Sequence, residues 1–135
     1  MKEKGKQKIL TLIIKQKYFD AIMQGKKVQE FREVRPTNIR RYLQLDEEGF
    51  EEEDEYGNAL PIEYDAIRFY VGYNKDRDSA LVEVESAYCE VFVDSEGKVI
   101  EYEYGGQNWF AEQVVYNLGK ILEKDIHPKG KQTHE

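Results

Sequence analysis

The chain has 135 residues, 40% apolar and 13% aromatic, enough for one folded domain with a real core and against a disordered polypeptide. Its net charge of −7 averages two unlike stretches: residues 1–41 hold twelve Lys/Arg against four Asp/Glu, net +8, while residues 42–135 hold eight against twenty-three, net −15. That division argues against a broad basic face for tracking duplex nucleic acid, and the single cysteine excludes an internal disulfide.

No run approaches the ~20 apolar residues of a membrane span, and the lysine-rich start lacks the apolar centre of a signal peptide. A soluble cytoplasmic protein is expected. Residues 1–8 read as a flexible lead-in, 9–126 as one domain and 127–135 as a polar tail. Ile9–Ile14 is a β-prone run that predicts a buried first strand. Tyr18, Phe19, Ile22 and Met23 recur at helical spacing, and Gly25 just past them is a helix stop, so residues 16–24 predict a helix. A strand over 27–34 follows, ended by Arg35-Pro36, and residues 36–42 suggest a short helix.

The segment 46–58 contains eight acids and no base between Asp46 and Glu55 and reads as a solvated loop, with a gating flap as the sharper alternative. Residues 65–74 alternate cleanly, placing Ile67, Phe69, Val71 and Tyr73 on one face. From Val82 and Val84 to Cys89, Val91 and Val93 the apolar parity changes by one residue, which predicts a bulge or bend near Ser86–Tyr88. Residues 99–104 return as a strand, 109–116 are ambiguous between helix and strand, and 118–126 close the sheet. No internal repeat is evident. The architecture expected is α+β, a small mixed β-barrel with one or two short helices packed on it.

The densest chemistry lies in Gly25-Lys26-Lys27-Val28-Gln29-Glu30-Phe31-Arg32. Strand parity puts Glu30 and Arg32 on one face among valines, and Lys27 on the other unless the strand begins irregularly. Spacing alone favours a structural ion pair with a solvated lysine. The pattern Gly-x-Lys-x-x-Glu-x-Arg, preceded by a strand and a helix, nevertheless resembles the signature of the ASCH domain, a small β-barrel family related to the PUA RNA-binding fold. All four defined positions match, and the order of elements extends the resemblance over residues 9–126. It implies a cleft beside the motif strand that binds RNA, a nucleotide or a modified nucleoside, with Lys27, Glu30 and Arg32 at its border. Some small members of the family hydrolyse acylated cytidine through the motif lysine and a further downstream glutamate. They carry threonine where this chain has Glu30, so an amidohydrolase using Lys27 and Glu30, acting on a substrate such as N4-acetylcytidine, is the alternative.

Tyr73 and Asn74 end a strand at a loop, where an aromatic and an amide can stack on and hydrogen-bond a base; parity nevertheless assigns Tyr73 to the core. Trp109 is read as packing, Arg35, Arg40 and Arg41 as solvated or phosphate-steering, and Cys89 as a buried, inert thiol. The two histidines, His127 and His134, both lie in the tail, so no His/Cys zinc site or Ser-His-Asp set is expected. No cofactor and no metal are expected. The partners expected are RNA or a nucleotide-sized ligand, with no membrane.

Overall fold

A computed structural model describes residues 7–128, and in it the chain is a mostly-β α+β protein. The first strand, β1 (Ile9–Ile14), buries Leu10, Leu12 and Ile14 while Ile9 and Thr11 stay exposed. Side chains two apart share a face, so this apolar run is covered on one side rather than buried throughout. Helix α1 (Gln16–Met23) buries Phe19 and Ile22. It stops at Gly25, whose φ of 76° is the left-handed conformation a helix terminus favours. Strand β2 (Gln29–Val34) begins two residues later than expected. Lys27 therefore belongs to the turn, its N–H donating to the Ala21 carbonyl at 3.1 Å.

Helix α2 (Ile39–Tyr42) is a single turn that buries Ile39 and Tyr42. The remaining strands are β3 (Ala66–Val71), β4 (Ser79–Val91), β5 (Glu101–Tyr104), β6 (Gln107–Phe110) and β7 (Glu112–Asp125). The ambiguous stretch 109–116 is thus strand, and 118–126 continues a strand that starts at Glu112. One sheet has the order β1-β3-β4-β7-β2 and the other pairs β5 with β6; the sheets are not closed into a barrel. Gly105 and Gly106 (φ 62° and 80°) form the two-residue loop between β5 and β6, where both central residues need positive φ.

The described residues divide into two compact units, each assembled from separate segments: residues 7–28, 64–85 and 118–128 in the first, 29–63 and 86–117 in the second. In the first unit β1 runs parallel to β3, with Leu12 opposite Phe69, and β3 pairs antiparallel with β4. Its core is Leu10, Leu12, Phe19, Ile22, Ile67, Phe69 and Val82. In the second unit β2 pairs antiparallel with β7, placing Glu30 opposite Tyr116, Arg32 opposite Val114 and Val34 opposite Glu112. Val34, Tyr42, Leu43, Val114, Val115 and Tyr116 fill that core.

The expected bulge or bend near Ser86–Tyr88 falls within a single 13-residue strand. Ser79–Val82 are buried on both faces, none of the residues from Glu83 to Val91 is buried, and β4 passes from one unit to the other at Glu85–Ser86.

The acidic segment is likewise built rather than loose. Bridges Leu45↔Glu51, Glu53↔Ala59 and Leu43↔Pro61 fold residues 43–61 into a double hairpin. Its three arms close a ring of backbone hydrogen bonds, each 2.9 Å: Glu52 N–H to the Gln44 carbonyl, Leu60 N–H to the Glu52 carbonyl, and Gln44 N–H to the Leu60 carbonyl. A second ring of the same kind joins Phe92, Ile100 and Ala111, with 2.8 Å bonds.

Both rings depend on one recurrent turn, Asp-x-x-Gly, at Asp46–Gly49, Asp54–Gly57 and Asp94–Gly97. In each, the aspartate Oδ1 accepts two backbone N–H groups, from Glu48 and Phe50, Tyr56 and Asn58, or Glu96 and Lys98. The glycine takes φ of 84–90° to close a three-residue hairpin loop. The Asn58 backbone N–H, opposed by burial and helped by Tyr56, the Asn58 side chain and Gly57, holds the Asp54 carboxyl below its ordinary value. A short structural repeat is therefore present where none was expected. Residues 1–6 of the lead-in and 129–135 of the tail, His134 included, lie outside the described residues.

Candidate functional site

The motif divides between the two units. Gly25 and Lys27 belong to the first, Glu30 and Arg32 to the second. Each place has its own chemistry.

In the first unit, Gly25 and Lys27 border a pocket of about 300 Å³ with walls of Ile22, Met23, Val82, Leu118 and Ile121. Lys27 is the cation among its lining residues, and its Nζ lies 5.8 Å from the centre of the Tyr18 ring. Lys17 approaches the same ring at 5.0 Å. An ammonium over an aromatic face is attracted by the ring quadrupole. An apolar hollow of this size with a single cation suits a small flat molecule carrying one negative charge. Another pocket residue, Gly119, has the Glu83 carboxylate lying where a Cβ would stand.

Tyr73 and Asn74 are both exposed, Tyr73 at 83%, and neither lines this pocket. The assignment of Tyr73 to the core is corrected: β3 ends at Val71, and Gly72 (φ 64°) turns the chain out before the alternation reaches Tyr73. The neighbouring loop is held by Arg77, whose guanidinium stacks on Tyr70 at 3.9 Å and donates to the Gly72 carbonyl at 3.0 Å.

In the second unit, Glu30 and Arg32 do share a face, joined by a bond of 2.7 Å from Arg32 Nε to Glu30 Oε2. Glu30 is buried and the Arg32 side chain is about a quarter exposed. A carboxylate enclosed by Tyr116 and Val114 across the sheet needs a cation, and the guanidinium two residues along the same strand face supplies it. Arg35 stacks on Tyr102 at 4.4 Å and pairs with Glu33 at 3.0 Å, whereas Arg40 and Arg41 are exposed.

The same face of β7 carries an acid that the sequence reading passed over. Glu112 is 7% exposed, in line with Val114 and Tyr116. Burial first, and then the Glu51 carboxyl, push the Glu112 carboxyl up to about 8. The Cys89 thiol is pushed up to about 12, by burial first and then by the charges of Glu112 and Glu51. It stays protonated at neutral pH, although the thiol expected to be buried is only half-buried. Tyr102 is also raised, by burial first, with Arg35 opposing and Glu33, Glu112 and Glu51 adding to the rise. The signal that would have found Glu112 is parity: once 112–117 is read as strand, Glu112 aligns with Val114 and Tyr116 on one face.

Among the described residues, no group of three or more His, Cys, Asp or Glu side chains is arranged to hold a metal ion, and no helix is long and apolar enough to cross a membrane. No protein-family model, curated protein or solved structure matches the chain.

Proposed function

We propose that the chain is an ASCH/PUA-like domain, its strands standing for that family's barrel, and that it binds an RNA-derived nucleotide or nucleoside beside the Gly25–Arg32 motif. The observation that carries this reading is the pocket of about 300 Å³ at Gly25 and Lys27. Its apolar walls suit a nucleobase, and the Lys27 ammonium suits a phosphate or a base carbonyl. Arg32 acts within the motif as the partner of Glu30, so the motif combines one ligand-facing cation with one internal ion pair. Tyr73 and Asn74, exposed on their loop, are left to contact the flanking part of a longer RNA.

The test is calorimetric titration of the protein with cytidine, cytidine monophosphate and a short single-stranded RNA. Wild type binds at least one of them. Lys27→Ala loses that binding while its unfolding free energy changes by less than about 1 kcal/mol, as for a partly exposed side chain outside the core. Equal binding by Lys27→Ala, or no binding of any of the three by wild type, removes the proposal.

A second reading is amide hydrolysis of an acylated nucleoside such as N4-acetylcytidine, with Lys27 as the reactive group. Its base would be a carboxylate, for which Glu83 is the candidate: it lies against the pocket residue Gly119, outside the pocket lining itself, and accepts the Lys120 N–H at 3.1 Å. Glu30 is bound to Arg32 and is less suited to that part. Release of cytidine above the level of Lys27→Ala supports hydrolysis, and none above that control removes it for this substrate.

A further inference from the structure

The lining of the pocket in the first unit includes one cation, Lys27, but a second stands beside it. Tyr18 lies one helical turn before Ile22, a pocket wall, so the two side chains share a face of α1. The Tyr18 ring is 43% exposed and gathers two ammonium groups, Lys17 Nζ at 5.0 Å from its centre and Lys27 Nζ at 5.8 Å. Lys17 comes from the first turn of the helix. Lys27 comes from the turn after it, where the Lys26 and Lys27 N–H groups both donate to the Ala21 carbonyl, at 2.9 and 3.1 Å. From Lys15 to Val28 there are four lysines and one acid, and that acid, Asp20, accepts the Gln16 side-chain amide at 2.9 Å. Two like charges at one ring repel, and the quadrupole attraction that each gains at an exposed site is small. A group with two negative charges removes that repulsion.

We infer that Lys17 and Lys27, gathered on Tyr18, form a phosphate subsite beside the pocket that takes the terminal phosphomonoester of a nucleotide. The subsite rests on the nucleotide reading of the pocket and adds to it a second cation and a ligand class, phosphate-ended nucleotides ahead of nucleosides and internal RNA segments. A phosphomonoester carries close to two negative charges at neutral pH, because its second pKa is about 6, whereas an internal phosphodiester carries one. Two ammonium groups on flexible four-carbon stems match the dianion in charge, and each turns its donors freely toward the phosphate oxygens. A base can lie against the apolar walls, but a phosphate buried there would lose its hydration, so the charged end is left to the cations. Lys27 serves both places, lining the pocket and facing the Tyr18 ring.

Two titrations of the whole chain test the subsite. In the first, inorganic phosphate is added at constant ionic strength and the backbone amides are followed by NMR. Saturable shifts at Lys17, Tyr18 and Lys27 that are lost in Lys17→Ala support it. No such shifts, or the same shifts in Lys17→Ala, overturn it and leave the pocket to be judged by cytidine. Lys17 is exposed, so this substitution leaves the fold intact. In the second, calorimetry compares cytidine 5′-monophosphate with cytidine. Wild type prefers the monophosphate by about tenfold or more, and Lys17→Ala narrows that margin by about fivefold, as for one lost charge contact at an exposed site. Lys17→Arg, which keeps the charge, keeps most of the margin. Equal affinity for the two compounds overturns the subsite while the nucleoside pocket stands. Phosphate shifts with no binding of either compound remove the nucleotide reading and this ligand class with it. A short RNA with and without a terminal 5′-phosphate separates the two sources: a matching preference assigns the subsite to the end of a chain, its absence to free nucleotides.

Discussion

The two units bury acids in different ways. In the first, Asp78 is 2% exposed, and Gln16 Nε2 at 3.0 Å and the backbone N–H of His127 at 2.8 Å donate to it. In the second, Glu30 is met by the Arg32 guanidinium at 2.7 Å, two residues along its own strand. A guanidinium ties a buried carboxylate to a charged partner, so the second unit should respond to loss of that charge, while the first is probed through its apolar core.

Phe19→Ala probes the first half of that contrast. Phe19 is 1% exposed, and truncating it costs about 3–5 kcal/mol by lost burial and cavity formation. Denaturant unfolding measures the loss, and a cost below about 1 kcal/mol would break the picture of an apolar first core. Arg32→Ala probes the second half. It takes the 2.7 Å cation from a buried carboxylate, with an expected cost of about 1–3 kcal/mol, reduced because the arginine is partly solvated. Arg32→Lys restores charge without the planar fork and recovers only part of it. If Arg32→Ala were silent in denaturant unfolding, the strut role of the pair would fall. Asp94→Ala has the smallest expected effect, about 1 kcal/mol, from loss of the two N–H bonds that Oδ1 accepts from Glu96 and Lys98. Thermal unfolding reads it, and a cost above about 3 kcal/mol would mean that this turn, rather than the second core, carries the stability of its ring.

Much of the fold was legible because its signals are local. The glycine stop after α1, the alternation of β3 and the Gly105-Gly106 turn each follow from a few adjacent residues. The Asp-x-x-Gly turns are equally local, yet the density of charge around Asp46 and Asp54 masked them. A solvated acidic run and a tight hairpin have similar composition, and the two differ only in where aspartate and glycine stand. The site was less legible. Parity correctly put Glu30 and Arg32 on one face, but it could not say that Glu30 would be buried there, with Tyr116 and Val114 beside the pair on β7. It misplaced Tyr73, because alternation carries no record of where a strand ends.

The amino-acid order alone determined β1, α1 with its glycine stop, and the shared face of Glu30 and Arg32, since these depend on bond geometry over a few residues. The tertiary structure decided which faces are covered, that Glu112 is buried in line with Val114 and Tyr116, and that β4 and β7 each serve two units. Burial and electrostatics act through space, and a carboxyl holds its proton or gives it up according to neighbours that the chain brings from far away.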